Sequence, residues 1–286
     1  MNDHIVSQTG RVFVFGGSYG NLQATSALLE RAESLGFGSG EIIFTGDTVA
    51  YCGQPAQTVE LIRNSGIHVI MGNCEEALGA DADDCGCGFE EGSECSLLSV
   101  EWYRFCRSVL DSEAKSWMRG LHRSATVRIG EFRLQCTHAT PASINQFVFP
   151  SDIATRKYQI PDAPDLDGYI TGHSGLPFVA EQNNKIWINS GAAGMPANDG
   201  TPRVWYATLE ADTEGLVCQT CALDYDHQSA AISMTQAGLA NGYRDCLHSG
   251  IWPSHDVLPE DEKSITGQSI RSERRIFRKA TLPEVA

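Results

Sequence analysis

The sequence predicts an α/β protein of four layers (αββα), two packed mixed sheets with helices on their outer faces. Three observations predict it. β-branched apolar segments alternate with helical spacing in the N-terminal part, and from about Ala125 short strands follow one another through brief turns. Several strands also stop on a small residue and then a metal-competent one.

Residues 12–15 read as the first strand. A helix follows, with Leu22, Leu28, Leu29, Ala32 and Leu35 recurring on one face, Asn21 as its N-cap and Gly36 as its stop. Residues 41–44 form the next strand. A second helix over 55–64 opens with Pro55, where a missing N–H costs no hydrogen bond, and residues 67–71 make a third strand. This β-α-β-α-β order argues for a parallel sheet covered by helices. Residues 133–136 and 169–171 also read as strands. Together with 179–181, 186–188, 204–209 and 216–222, the C-terminal half is expected to form a second, more antiparallel sheet.

Residues 79–96, rich in Gly, Asp, Glu and Cys, suit an inserted loop. Residues 225–248 have helical character and precede a loop over 250–259. The polar, basic stretch 263–286 is expected to be a mobile tail on a single domain spanning 1–262, with its core in 11–224 and a helical extension in 225–262.

With 286 residues, 42% of them hydrophobic, the chain can bury a full core. A formal net charge of −15 opposes binding to a long nucleic-acid backbone, which needs Lys and Arg to release counterions. A small phosphorylated substrate held through a metal ion is the expected partner. The first ten residues lack the order of a secretory signal, and no apolar run approaches the roughly 18 residues that cross a bilayer, so a cytoplasmic protein without membrane association is expected. The ten cysteines then read as reduced thiols, some available to metal.

The chemistry concentrates at strand ends: Thr45-Gly46-Asp47, Met71-Gly72-Asn73, Thr137-His138 and Thr171-Gly172-His173. Each alone is an ordinary turn, cap or core histidine. Jointly they bring one carboxylate, one amide oxygen and two imidazoles to the carboxyl edge of a sheet, where such endings converge.

In these residues the chain resembles the calcineurin-like metallophosphoesterases, in particular their small prokaryotic phosphodiesterase branch, over about residues 11–210. The family's two-metal pattern runs D-x-H, G-D, G-N-[HC]-[DE], a lone H and G-H-x-H. Gly46-Asp47 matches the bridging aspartate and Gly72-Asn73-Cys74-Glu75 the asparagine motif. His138 takes the lone histidine's place and His173 that of the first histidine in the last motif. Residues 188–202 are similar to the family's following loop.

Where the family has D-x-H this chain has Gly17-Ser18-Tyr19, and where it ends G-H-x-H this chain has Gly172-His173-Ser174-Gly175. The three missing groups would hold one of the two ions, and the four retained ones are the protein ligands of the other. The resemblance therefore implies one metal per chain on Asp47, Asn73, His138 and His173. That donor set suits Mn, Fe, Zn or Ni better than the oxygen-seeking Ca or Mg. An ion there supplies a water of lowered pKa for hydrolysis.

Further expectations attach to neighbouring residues. Cys74 stands where many relatives carry a general-acid histidine, so Cys74 and His138 are the catalytic candidates. Gly20 and Asn21 open the first helix, whose N–H groups favour a phosphate, although an ordinary N-cap explains Asn21 equally. Tyr19 either donates a hydrogen bond toward the substrate or fills space. Cys85, Cys87 and Cys95 with Cys74 offer a second, thiolate-bound metal, against the alternative of reduced loop thiols. Residues 225–259 offer a lid or a homo-oligomer surface, or simple packing on a sheet edge.

The spacing of Gly16, Gly17 and Gly20 fails the dinucleotide-binding pattern, and no cysteine has an arginine six residues on, as a cysteine-nucleophile phosphatase would. Two functions remain: a metal-dependent phosphodiester or phosphomonoester hydrolase, and a non-catalytic descendant that binds metal or a phosphorylated ligand.

Overall fold

A computed structural model of the chain describes residues 5–239 and 242–279. The chain enters through β1 (Ile5–Thr9), a strand the sequence reading left out, and β2 (Arg11–Phe15). Along β2 the side chains alternate as a two-sided strand must. Phe13 and Phe15 pack with Leu28 and Ala32 of the next element, whereas Val12 and Val14 join Leu134, Ile170 and Leu209 between the sheets.

That next element is α1 (Leu22–Ser34), capped by Asn21, whose side chain accepts from the Ala24 N–H at 3.1 Å. It leads to β3 (Ile42–Phe44), α2 (Pro55–Asn64) and β4 (His68–Val69). Strands β2, β3 and β4 pair in parallel, so their carboxyl ends share one edge, as the β-α-β-α-β order requires.

After α3 (Asn73–Gly79) and a loop, α4 (Glu94–Val109) and α5 (Ser112–Arg119) form a helical layer not anticipated from sequence. The second sheet follows with β5 (Ser124–Ile129), β6 (Phe132–Thr137), α6 (Pro150–Ala154), β7 (Gly168–Thr171), β8 (Pro177–Gln182) and β9 (Lys185–Ser190). Its strand order is β1-β5-β6-β7-β9-β8. β6, β7 and β9 are mutually parallel, so their carboxyl ends also gather at one edge.

The long strands β10 (Val204–Asp212) and β11 (Gly215–Leu223) correct the expected division of the chain into two halves. β10 runs antiparallel to β2, with Ala207 opposite Val14, and extends the N-terminal sheet. The apolar inner faces of both strands then lie against the other sheet, with Ala207, Leu209, Leu216 and Cys218 in the core between them.

The extension folds as α7 (His227–Gln236), α8 (Gly242–Ser249) and α9 (Glu260–Ser264). Residues 240 and 241, inside the expected helical stretch, lie outside the described residues.

The expected tail is corrected too. β12 (Glu273–Phe277) pairs antiparallel with β11 and completes the order β12-β11-β10-β2-β3-β4, and Phe277 is buried between the sheets. Asp199 ties the approach to this strand, accepting from Arg203 Nη2 and from the Ile270 N–H at 2.9 Å each. Residues 280–286 of that tail lie outside the described residues. No described helix is long and apolar enough to cross a membrane.

Candidate metal centre

The carboxyl ends of β3, β4, β6 and β7 bring Asp47, Asn73, His138 and His173 to one point. His138 Nε2 lies 3.3 Å from Asp47 Oδ2, 3.1 Å from Asn73 Oδ1 and 3.2 Å from His173 Nδ1. The ligand atoms of Asp47, His138 and His173 all fall within 4.8 Å of one another. Bonds of ~2.0–2.2 Å to a shared ion place neighbouring donors roughly 3–3.5 Å apart, so the four side chains fit one first-row divalent metal.

Each donor is aimed by a second contact. The Nδ1 of His138 is 2.7 Å from the Thr45 carbonyl, which can only accept, so Nδ1 carries the proton and Nε2 faces the centre. His173 Nε2 donates to the Asn145 carbonyl at 3.1 Å, which leaves Nδ1 for the metal. Asn73 Nδ2 donates to the Cys85 carbonyl at 3.1 Å and so turns Oδ1 inward. The Cys74 N–H donates to Asp47 Oδ1 at 3.1 Å, leaving Oδ2 toward the histidines.

Asp47 and His173, and Tyr19 nearby, have φ of +61°, +62° and +54°. Side chains in this left-handed region cost about 1–2 kcal/mol each and need surroundings that enforce them. For Asp47 the enforcing group is Glu75, which sequence reasoning quoted only as part of a motif. Its buried carboxylate accepts from the N–H groups of Asp47 (2.8 Å), Thr48 (2.6 Å) and Gly72 (2.8 Å), locking two strand-end loops together. The signal was the acidic residue three positions after Gly72, a capping-box spacing. For His173, Asn189 donates to the Gly172 carbonyl at 2.7 Å and to Ser174 Oγ at 2.8 Å. Gly46 has no room for a side chain, since a Cβ there would sit 2.6 Å from the Gly72 nitrogen and 2.9 Å from His138 Nδ1.

The electrostatics suit cation binding. Burial pushes the Asp47 carboxyl up, but His138 beside it outweighs this and holds it below the usual range. Burial pulls His138 down, and Asp47 more than restores it, so its pKa is raised. Burial and then His138 lower His173 to about 3, which keeps it a neutral ligand. Glu75 is raised by burial and by Asp47, against the pull of its N–H donors.

Aromatic rings lie against Gly17 and Gly175. A Cβ on Gly17 would lie 2.7 Å from both Cζ and the hydroxyl oxygen of Tyr19, and one on Gly175 would lie 3.2 Å from Cζ2 of Trp252. Burial, and then the Asp47 charge, hold the Tyr19 hydroxyl far above the ordinary tyrosine range, so it stays neutral. Trp252 is fixed by its Nε1–H, which donates to the Pro196 carbonyl at 2.7 Å.

The remaining candidate residues are placed as follows. The Gly20 and Asn21 N–H groups donate to Thr48 and Ser18 carbonyls, and Asn21 Nδ2 donates to Gly194 O and to the Tyr225 hydroxyl. Asn21 is the N-cap. His138 has both nitrogens engaged, one on Thr45 and one facing the other ligands, and has none left to shuttle a proton. Cys74 is buried beside Asp47, and burial followed by that charge push its thiol well above the usual range.

The thiolate-bound second metal does not assemble. Cys85 and Cys87 are joined as a disulfide, which also corrects the expectation of reduced thiols there, and Cys95 lies beside Ser254 and Asp256. Among the described residues the candidate metal group is Asp47, His138 and His173.

The calcineurin-like phosphoesterase superfamily domain matches residues 11–214. An uncharacterised protein of Methanocaldococcus jannaschii is 23% identical over 241 residues, 77% of this chain and 89% of the relative. A crystal structure of a metallophosphoesterase from Sphaerobacter thermophilus superposes with a TM-score of 0.65 at 20% identity, covering 85% of this chain and all of that one. A hypothetical protein from Pyrococcus horikoshii gives 0.65 at 17% identity, over 86% of this chain and all of that one. With a domain match spanning both sheets and the strand ends that carry the four donors, the chain belongs to the calcineurin-like phosphoesterase superfamily.

Proposed function

We propose that this chain hydrolyses a phosphate ester with a single divalent ion, held by Asp47, Asn73, His138 and His173. The observation that carries this reading is the convergence of the Asp47, Asn73 and His173 donor atoms on His138 Nε2 at 3.1–3.3 Å, with the Tyr19 and Trp252 rings against Gly17 and Gly175. When bound, the ion supplies Lewis-acid polarisation of a phosphoryl oxygen and a water acidic enough to attack near neutral pH.

The protein's own groups do the rest. Tyr19, its hydroxyl kept neutral by burial and the Asp47 charge, donates to a phosphoryl oxygen where relatives would offer a second cation. A neutral donor stabilises developing charge less than a cation, so turnover is slower than in two-metal relatives. The Cys74 proton is held too firmly for an efficient general acid, and Cys74 serves instead to brace Asp47. Small phosphorylated substrates are the partners that the charge of −15 permits.

The aromatic filling beside Asp47 also supports a second reading, a phospholigand-binding protein without turnover. The two are separated by assaying the manganese-loaded chain on p-nitrophenyl phosphate and bis(p-nitrophenyl) phosphate. Metal-dependent release above that of Asp47→Ala supports the hydrolase. Release no greater than that of the variant, with phosphate ester still bound, defeats it in favour of the binder.

A further inference from the structure

A cavity of about 70 Å³ opens beside the metal centre and shares His173 with it. Its wall combines Tyr19, Tyr51, Phe147, Met195, Tyr243 and Trp252, and none of its fifteen lining residues is Lys, Arg, Asp or Glu. Phe147 lies over the His173 ring at 4.3 Å between centroids, and Tyr51 stacks on Tyr243 at 4.2 Å. The wall is rigid where it matters: the indole N–H of Trp252 is bound to Pro196 O and its main-chain N–H to Asn198 Oδ1 at 2.9 Å. Trp252 and Tyr243 come from the C-terminal extension, which closes the cavity over the sheet edge.

An uncharged wall is a poor seat for additional phosphates, because burying an unpaired anion costs far more than burying a ring. It is a good seat for a flat apolar group, which gains from burial and from ring-to-ring contact. Phosphate on the ion and ring in the cavity are within reach of one molecule, since His173 borders both.

We propose that the ester carries an uncharged aromatic group, bound in this cavity, and a single phosphate, which faces the ion. This rests on the phosphoesterase reading for the placement of the phosphate, but it predicts binding independently of turnover.

The test compares 1-naphthyl phosphate with glycerol 2-phosphate on the manganese-loaded full chain, by calorimetry and by tryptophan fluorescence, alongside turnover of each. The naphthyl ester is expected to bind at least ~10-fold tighter, with a change in Trp fluorescence. Trp252→Leu and, separately, Phe147→Leu are expected to shrink that ratio. Equal affinities, a ratio unmoved in both variants when folded, or tighter binding of pyrophosphate than of the naphthyl ester would overturn the proposal. Selective binding of the naphthyl ester without hydrolysis upholds this inference and sinks only the hydrolase reading. Hydrolysis of both esters at equal affinity does the reverse.

Discussion

Replacing Gly17 by alanine puts a methyl group where the Tyr19 ring lies. Gly17 has φ +64°, and an added Cβ would sit 2.7 Å from Tyr19 Cζ and the hydroxyl oxygen. Two costs combine: about 1–2 kcal/mol for a side chain in the left-handed region, and about 1–3 kcal/mol for overpacking against a buried ring that packs edge-on to Tyr51. Gly17→Ala should therefore destabilise by about 2–5 kcal/mol. Tyr19→His shortens the ring and should recover the overpacking part, so the two substitutions together cost about 1–3 kcal/mol less than their sum. Urea unfolding of the wild type, both single variants and the double variant reads this out as shifts in midpoint at unchanged slope. Additive costs, within about 0.5 kcal/mol, would refute the claim that Tyr19 fills the space beside Gly17.

Glu75→Ala leaves three buried N–H groups without acceptors and frees both ligand loops, and is expected to cost about 3–5 kcal/mol in urea unfolding and to abolish metal retention on gel filtration. Phe277→Ala, on the edge strand β12, is expected to cost about 3–5 kcal/mol because the ring is 2% exposed between the sheets; a loss near zero would return residues 263–279 to the status of a tail. Manganese at about 100 times its dissociation constant should stabilise the wild type by about 2.7 kcal/mol in thermal unfolding, and His173→Ala should show no such gain.

Much of the centre was legible because metal ligation leaves short, ordered marks: Gly46-Asp47, Gly72-Asn73, His138 and Gly172-His173 each follow a strand that periodicity alone locates. The helix α1, its Asn21 cap and the proline start of α2 were legible for the same local reason. What the sequence hid depends on distant pairing. Nothing local says that β10 joins β2 across most of the chain, or that a basic stretch ending in Phe277 finds an edge on β11. Glu75 reads as a helix cap until the three N–H groups it gathers from two loops are seen. Tyr19 and Trp252 are remote in sequence, and only the fold shows both rings on the positions that Gly17 and Gly175 leave open.

The count of divalent ions per folded chain, by elemental mass spectrometry on protein dialysed against manganese, tests the proposed single-ion centre most directly. One ion per chain is expected, with none in Asp47→Ala or His173→Ala. Two ions per chain, or one that survives both substitutions, would contradict it.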